Sequence, residues 1–217
     1  MRFDIITIFP EIIDSYFSEG VIARAKGKGT LSLTCHNLRD FTDDPHRTVD
    51  ARPFGGGPGM VMKIEPIYRA VTALKSQTSI SNVILTSPRG KKFTQEKAQE
   101  YSKLDQLIII CGRYEGVDER VGRYVADEVI SIGDFVLSGG EIAALAIIEA
   151  TARLIPGVLG NEESPAHGLF PQYTRPEVFE TDEGKKISVP KILLNGNHKL
   201  IDTWRKKRSK GKREQKT

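Results

Sequence analysis

Residues 107–140 read LIIICGRYEGVDERVGRYVADEVISIGDFVLSGG, and their pattern decides the fold. Two short apolar runs, Leu107 to Cys111 and Val129 to Ile132, each stop at a glycine and open into a loop of small residues. Strands buried on both faces of a parallel sheet have this form, and glycine at the exit lets a ligand approach bare backbone. A binding site at these strand ends is therefore expected.

The same signals recur on either side. Strands are predicted at Phe3 to Phe9, Leu31 to Cys35 and Asn82 to Thr86, and helices around residues 10–25, 64–75, 94–103, 117–125 and 141–154. Alternation of this kind means an α/β fold with a parallel sheet. Pro10 followed by Glu11 suits a first helical turn, and Ile12, Ile13, Tyr16 and Phe17 then recur at helical spacing as a core face. The stretch EIAALAIIEATARL, after Gly139 and Gly140, is apolar nearly all round, which predicts burial against the sheet or a partner subunit and makes Arg153 a charge in an apolar place. Beyond Pro156 the chain becomes rich in Pro, Gly and charge for about 30 residues, as in a linker or long irregular segment. It leads to an apolar stretch, Lys191 to Leu194, and a terminal helix from Asn197 to Lys207 with Leu200, Ile201 and Trp204 on one face. A small C-terminal module is expected there.

Composition narrows the class. A chain of 217 residues with 39% hydrophobic and 28% charged content can bury one substantial core and a smaller second domain. No stretch approaches the roughly 18 apolar residues that span a bilayer, and the opening MRFDIITIFPEI carries acidic residues where a secretory signal has none, so a cytoplasmic protein with no membrane partner is expected. Cys35 and Cys111 lie in or at the end of apolar runs and read as buried, reduced thiols; no metal-ligand spacing is visible. The net charge of +4 conceals an asymmetry: WRKKRSKGKREQKT, residues 204–217, sets eight Lys or Arg against Glu214 alone, leaving the rest of the chain slightly acidic. Such a tail is either a solvated end or a contact for a polyanion.

Two features carry chemistry. Asp50 to Met60 reads DARPFGGGPGM, which is neither a Walker loop nor a dinucleotide fingerprint. Gly-Pro-Gly turns are commonly structural, but His46, Arg47, Asp50 and Arg52 beside exposed backbone can hold phosphates and base edges. The second feature is the set of strand ends, Thr86 to Gly90, Cys111 to Gly116 and Ser131 to Gly140, which an open parallel sheet brings to its carboxyl edge. Exposed amides there can bond an adenine edge or a ribose, with Ile132 and Leu137 as apolar walls. None of these loops sets Cys or Ser next to His, so a nucleophilic triad has no support.

The segments CGRYEGVDERV, SIGDFVLSGGE, RPFGGGPGM and LIPGVLGN, with Tyr173-Thr-Arg-Pro176 further on, closely resemble the bacterial tRNA (guanine-N1)-methyltransferases of the TrmD type in the SPOUT superfamily. The resemblance covers most of the chain and implies a parallel α/β sheet with a deep trefoil knot, an exception to the rule against threaded connections. It implies domains at 1–160 (methyltransferase, with the cofactor knot), 161–175 (linker) and 176–217 (a small, truncated helical C-terminal domain that binds tRNA, with the basic tail). It also implies S-adenosyl-L-methionine as methyl donor, a homodimer with sites built from both subunits, and Mg²⁺. By motif match the cofactor residues are Thr86, Pro88, Gly112, Tyr114, Glu115, Gly116, Ser131, Ile132, Gly133, Asp134, Phe135, Val136, Leu137, Gly139 and Gly140. The tRNA residues are His46, Asp50, Arg52, Gly55, Gly56, Gly57 and Gly59.

The reaction so implied is methylation of N1 of guanosine 37, next to the anticodon. It needs a base to take the N1 proton and a cation for charge building on O6. Arg153 matches the family's arginine for the second task. The family's aspartate base lies in an Asp-Ser stretch between GVLGN and YTRP, which here is shortened to NEESPAHGLFPQ and has no aspartate. Glu162, Glu163 and His167 are the titratable groups left there; Glu163, which precedes Ser164, is the first candidate base and His167 the second. Three readings follow: an active enzyme of this kind, a catalytically impaired tRNA- or cofactor-binding homologue, and a SPOUT methyltransferase for another RNA position.

Overall fold

Apolar runs that alternate sides build both layers of the core. The computed structural model describes residues 1–75, 80–159 and 170–209. Five strands, β1 (Arg2–Thr7), β2 (Ser32–Asn37), β5 (Ser81–Lys92), β6 (Gln106–Cys111) and β7 (Glu128–Ser131), form a sheet in the order β2-β1-β6-β5-β7 with every pairing parallel. Phe3, Ile5, Leu107 and Ile109 point to one layer, made by helices α1 (Pro10–Tyr16), α2 (Gly20–Gly27) and α6 (Glu141–Ala152). Ile6, Ile108 and Ile110 point to the other, under α3 (Ile64–Leu74) and α5 (Glu119–Tyr124). Each fully buried Ile, Leu or Phe contributes about 1.5–3 kcal/mol. Helix α4 (Gln95–Tyr101) buries Tyr101 in the first layer, and the two-residue strands β3 (Asp50–Ala51) and β4 (Val61–Met62) pair antiparallel outside the main sheet.

The expected helix over 10–25 is two helices, broken at Phe17 to Glu19 and restarted at Gly20, whose φ of +80° suits glycine. Its expected core face is also narrower: Ile13 and Phe17 are buried, while Ile12 and Tyr16, one position round a two-turn helix, are exposed. Helix α6 is buried along most of its length but leaves an exposed stripe, Ile142 and Ala146. Arg153, at its C-terminal end, is exposed rather than sunk in apolar surroundings, because the helix has by then reached the rim of the core. Strand β5 does not end at Thr86. Residues 87–90 bulge out and the chain rejoins β7, so that Thr86 and Lys91 both stand opposite Ile130.

Cys111 is buried and Cys35 half-buried, both as free thiols. Burial, then the neighbouring Asp14, pushes the Cys35 thiol up to about 12, and burial raises Cys111 well above the ordinary thiol value. No helix among the described residues is long and apolar enough to cross a membrane.

The chain divides into two compact units, Met1–Glu162 and Glu163–Thr217. In the second, the stretch read as irregular holds an antiparallel hairpin, β8 (Val178–Glu180) with β9 (Lys186–Ser188), turning at Gly184 with φ +76°. Helix α7 (His198–Ser209) buries Ile201 and half-buries Trp204, but Leu200 of the expected apolar face is exposed. Tyr173 lies 6.2 Å from the Trp204 ring, and Arg208 stacks over that ring at 4.7 Å.

Candidate cofactor and RNA site

The carboxyl ends of β5, β6 and β7 surround a cavity of about 560 Å³, a volume suited to a nucleoside-sized ligand. Glycine makes the close approaches that form it. A Cβ on Gly140 would fall 2.0 Å from Thr86 Oγ1 and 2.9 Å from the Cys111 Cα, because the segment leading into α6 lies directly over the ends of β5 and β6. The Gly140 amide donates to the Gly112 carbonyl at 2.8 Å, and Arg113 pairs with Gly139 as an antiparallel bridge. Beyond the bulge Gly90 rests on β7, where a Cβ would meet backbone atoms of Val129 and Ile130 at 2.6 Å. Buried Thr86 donates its hydroxyl to the Ile110 carbonyl (3.1 Å), and the Ser131 hydroxyl donates to the Gly133 carbonyl (2.9 Å), so both polar side chains brace the wall.

Every residue expected at the cofactor lines this cavity except Asp134, whose carboxylate turns out to pair with Lys92. Ile132, Leu137 and Val136 supply apolar wall, and Gly112, Gly116, Gly139 and Gly140 leave stretches of the lining uncovered by side chains. Sequence reasoning missed Arg89, Arg113, Glu119 and Arg123 on the rim. The signal available was Arg113 inside CGRYEG and Arg89 inside SPRG. Glu119 bonds Arg89 at 2.8 Å and lies 3.5 Å from Arg123; the hydrogen bond and charge of Arg89 hold its carboxyl below the usual range.

Arg113 is a fixed part of the wall. Its Nε donates to Glu141 Oε2 at 2.9 Å, its guanidinium covers the Phe9 ring at 4.7 Å, and Glu141 also accepts the Thr7 hydroxyl at 2.6 Å. Glu141 is buried and sits in the first turn of α6, where a negative charge also complements the helix dipole. Glu141→Ala strands the arginine without its anion, at a cost of about 3 kcal/mol. We expect a fall in Tm of roughly 6–12 °C in thermal unfolding, with a smaller fall for Glu141→Gln.

The glycine-rich loop lies beside this wall. Its stem is the β3–β4 pair, and β4 is tied to the loop that follows β6: Glu115 N donates to Met60 O (3.1 Å), Met62 N to Gly116 O (2.9 Å) and Asp118 N to Met62 O (3.0 Å). Gly59 packs so tightly on Glu115 that a Cβ would fall 2.5 Å from its Cγ. The Tyr114 phenol has its pKa raised by burial first and by the neighbouring Asp50 carboxylate second. Tyr114 itself holds a left-handed φ of 60°. Asp50 and Gly59 thus meet the cavity wall, whereas Gly55, Gly56 and Gly57 stand in open space at the tip and Arg52 is exposed. His46 is on a separate exposed turn, where its amide donates to Asp44.

Arg153 is far from its own chain's cavity. Helix α6 starts beside the carboxyl ends of β5 and β6 and runs back over the sheet, carrying Arg153 about 20 Å from Gly140. A Cβ on Gly157 would then lie 3.7 Å from Thr30 Cγ2, just before β2 begins at the amino edge. Arg153 makes no salt bridge with another described residue. The candidate bases Glu163 and His167 lie outside the described residues. Among the described residues no group of three or more His, Cys, Asp or Glu is placed to hold a metal ion.

A family model described as tRNA (Guanine-1)-methyltransferase TrmD matches residues 1–217. A curated protein of Dictyoglomus turgidum is 52% identical over 214 residues, covering 95% of this chain and 84% of its own length. One of Citrifermentans bemidjiense is 50% identical with the same coverage, and one of Carboxydothermus hydrogenoformans 48% identical over 216 residues, covering 96% and 83%. Each bears the name tRNA (guanine-N(1)-)-methyltransferase.

Proposed function

The chain belongs to the tRNA (guanine-1)-methyltransferase TrmD family, and from that premise we infer that it is a methyltransferase acting on N1 of guanosine in tRNA. We further propose that the guanosine is the one at position 37 and that the methyl donor is S-adenosyl-L-methionine, held in the cavity at the ends of β5, β6 and β7. The single observation that carries the cofactor reading is the cavity itself: its size, its bare glycine backbone and its apolar walls fit an adenosine bearing a short tail. The donor supplies an electrophilic methyl group on a sulfonium.

The chain's own residues do the rest. Backbone at Gly112, Gly116, Gly139 and Gly140, uncovered by side chains, lets the nucleoside lie close against the wall, and Ile132 and Leu137 exclude water from its base. Asp50 and the glycine-rich loop, fixed to Tyr114 and Glu115, present the RNA to the same wall. Arg153 stabilises negative charge growing on O6 as N1 loses its proton. Because it sits at the opposite sheet edge from its own cavity, it serves the cavity of a second copy, which makes the working form a homodimer. The exposed apolar residues Phe9, Ile12 and Tyr16 at α1 and Ile142 on α6 supply a surface for that contact. Glu163, with His167 as the alternative, takes the N1 proton.

Close glycine crossings at Gly90 and Gly140 support a chain threaded as a trefoil knot within 1–160, followed by a linker at 161–175 and a tRNA-gripping domain at 176–217. An enzyme of tRNA works where tRNA is, and we place it in the cytoplasm.

The test is label transfer from radiolabelled S-adenosylmethionine to tRNA transcripts carrying G or A at position 37, with and without Mg²⁺. Transfer that requires the G is the expected result; cofactor binding without transfer, or transfer indifferent to that base, would sink it. Glu163→Ala and His167→Ala then examine the base: full activity in both removes these assignments.

A further inference from the structure

The glycine-rich loop holds an aromatic ring in water that no other described residue covers. Phe54 is completely exposed, more so than any other large hydrophobic residue among those described, and forgoes the gain that burial would give. Its setting is open on the C-terminal side: Gly55, Gly56 and Gly57 follow with φ of 84°, 75° and 116°, and no atom lies within 4 Å of the place where each would carry a Cβ. Gly56 N donates to Pro53 O, which turns the chain around Phe54 and sets the ring at the tip. A flat ligand can reach that ring without meeting side chains of the next three residues.

The stem below is fixed. Asp50 pairs with Met62, Met60 O accepts from Glu115 N, and Gly59 is pressed onto Glu115 of the cavity wall. Five residues from Phe54 to Gly59 span at most about 18 Å, so the ring is tethered beside the cavity. Of the other aromatic rings nearby, Phe9 lies under the Arg113 guanidinium, and Tyr114 and Phe135 are only about half exposed at 47% and 53%. Arg52, exposed two residues before Phe54, places a cation where a phosphate would follow a stacked base.

Bases of single-stranded RNA loops are bound by stacking on aromatic side chains, since every base has a π face. We propose that Phe54 is the stacking platform for one unpaired nucleobase of the tRNA adjoining the target guanosine. The proposal rests on the reading of this protein as a tRNA methyltransferase, and it adds a recognition residue which that reading does not need.

Two tRNAs carrying fluorescent 2-aminopurine at the 5′ or the 3′ neighbour of the target guanosine provide the test, by titration with the full chain. The wild type should quench one of them. Phe54→Ala should abolish that quench and weaken binding about tenfold, Phe54→Leu should behave like Phe54→Ala, and Phe54→Trp should keep both quench and affinity. Wild-type affinity in Phe54→Leu, or a quench that survives in Phe54→Ala, overturns the proposal. So does an unchanged RNA affinity in Phe54→Ala accompanied by a lower sedimentation coefficient, which would seat the ring on a second copy of this chain. Methyl transfer to the unlabelled tRNA is measured separately: a wild type that binds and quenches without transferring methyl overturns the enzymatic reading while supporting the stacking one.

Discussion

Gly90→Ala is expected to destabilise the protein by about 3 kcal/mol or more and to abolish binding of S-adenosylmethionine. The reason is geometric. The new methyl would lie 2.6 Å from the Ile130 N, the Ile130 C and the Val129 C, a separation that no real Cβ contact shows. These are backbone atoms of a strand paired to β5, so relief requires β7 to shift, and β7 leads straight into Ser131 to Leu137 of the cavity wall. Thermal unfolding and calorimetric titration with the cofactor measure the two effects. Gly27→Ala is the control: its Cβ would meet nothing within 4 Å at the end of α2, and a helical Gly-to-Ala change stabilises by up to about 1 kcal/mol. An unaltered Tm in Gly90→Ala would mean that the chain does not cross β7 at this distance.

Arg153→Ala should lower kcat by about 10²- to 10³-fold with cofactor affinity unchanged, the loss typical of one donor aimed at developing oxyanion charge. Its position gives a sharper test. If Arg153 acts on a second copy's cavity, a mixed dimer of an Arg153→Ala chain and an Ile132→Trp chain, whose cavity is filled, regains activity. One intact cavity then meets one intact arginine. If Arg153 acts within its own chain, the mixed dimer is as inactive as either parent. A wild-type kcat in Arg153→Ala removes the residue from the chemistry altogether.

Much of the α/β architecture was legible because strands buried on both faces need continuous apolar runs, and QLIIIC and SNVILT have no other stable location. The strand-end glycines were legible for a related reason: bare backbone is wanted where chain or ligand comes close. What escaped was whatever lacks a core signature. VFE and KIS form β8 and β9 with every residue exposed, so no alternation marked them. Ile12 and Tyr16 carry the right spacing for burial, but a helix of two turns covers too little of the sheet to bury both rows. The continuation of β5 past Thr86 depends on a bulge that reconnects to a partner far along the chain, which no local pattern encodes. At the site, the motifs located the wall, yet the separation of Arg153 from it follows only from the direction in which α6 crosses the sheet.

The bond from the Thr7 hydroxyl to Glu141 sets a schedule for synthesis. At 5–20 residues per second, the ribosome needs roughly 7–27 s to travel from Thr7 to Glu141, and for that interval the nascent chain has no finished wall for a ligand to recognise. A ligand at free concentration L that binds only the closed wall stabilises the fold by RT ln(1 + L/Kd), and a stalled or shortened translation product that ends before Glu141 has no closed wall for it to bind, so the ligand cannot rescue it. Cofactor protection against proteolysis should therefore switch on abruptly as translation products lengthen past α6, rather than growing strand by strand.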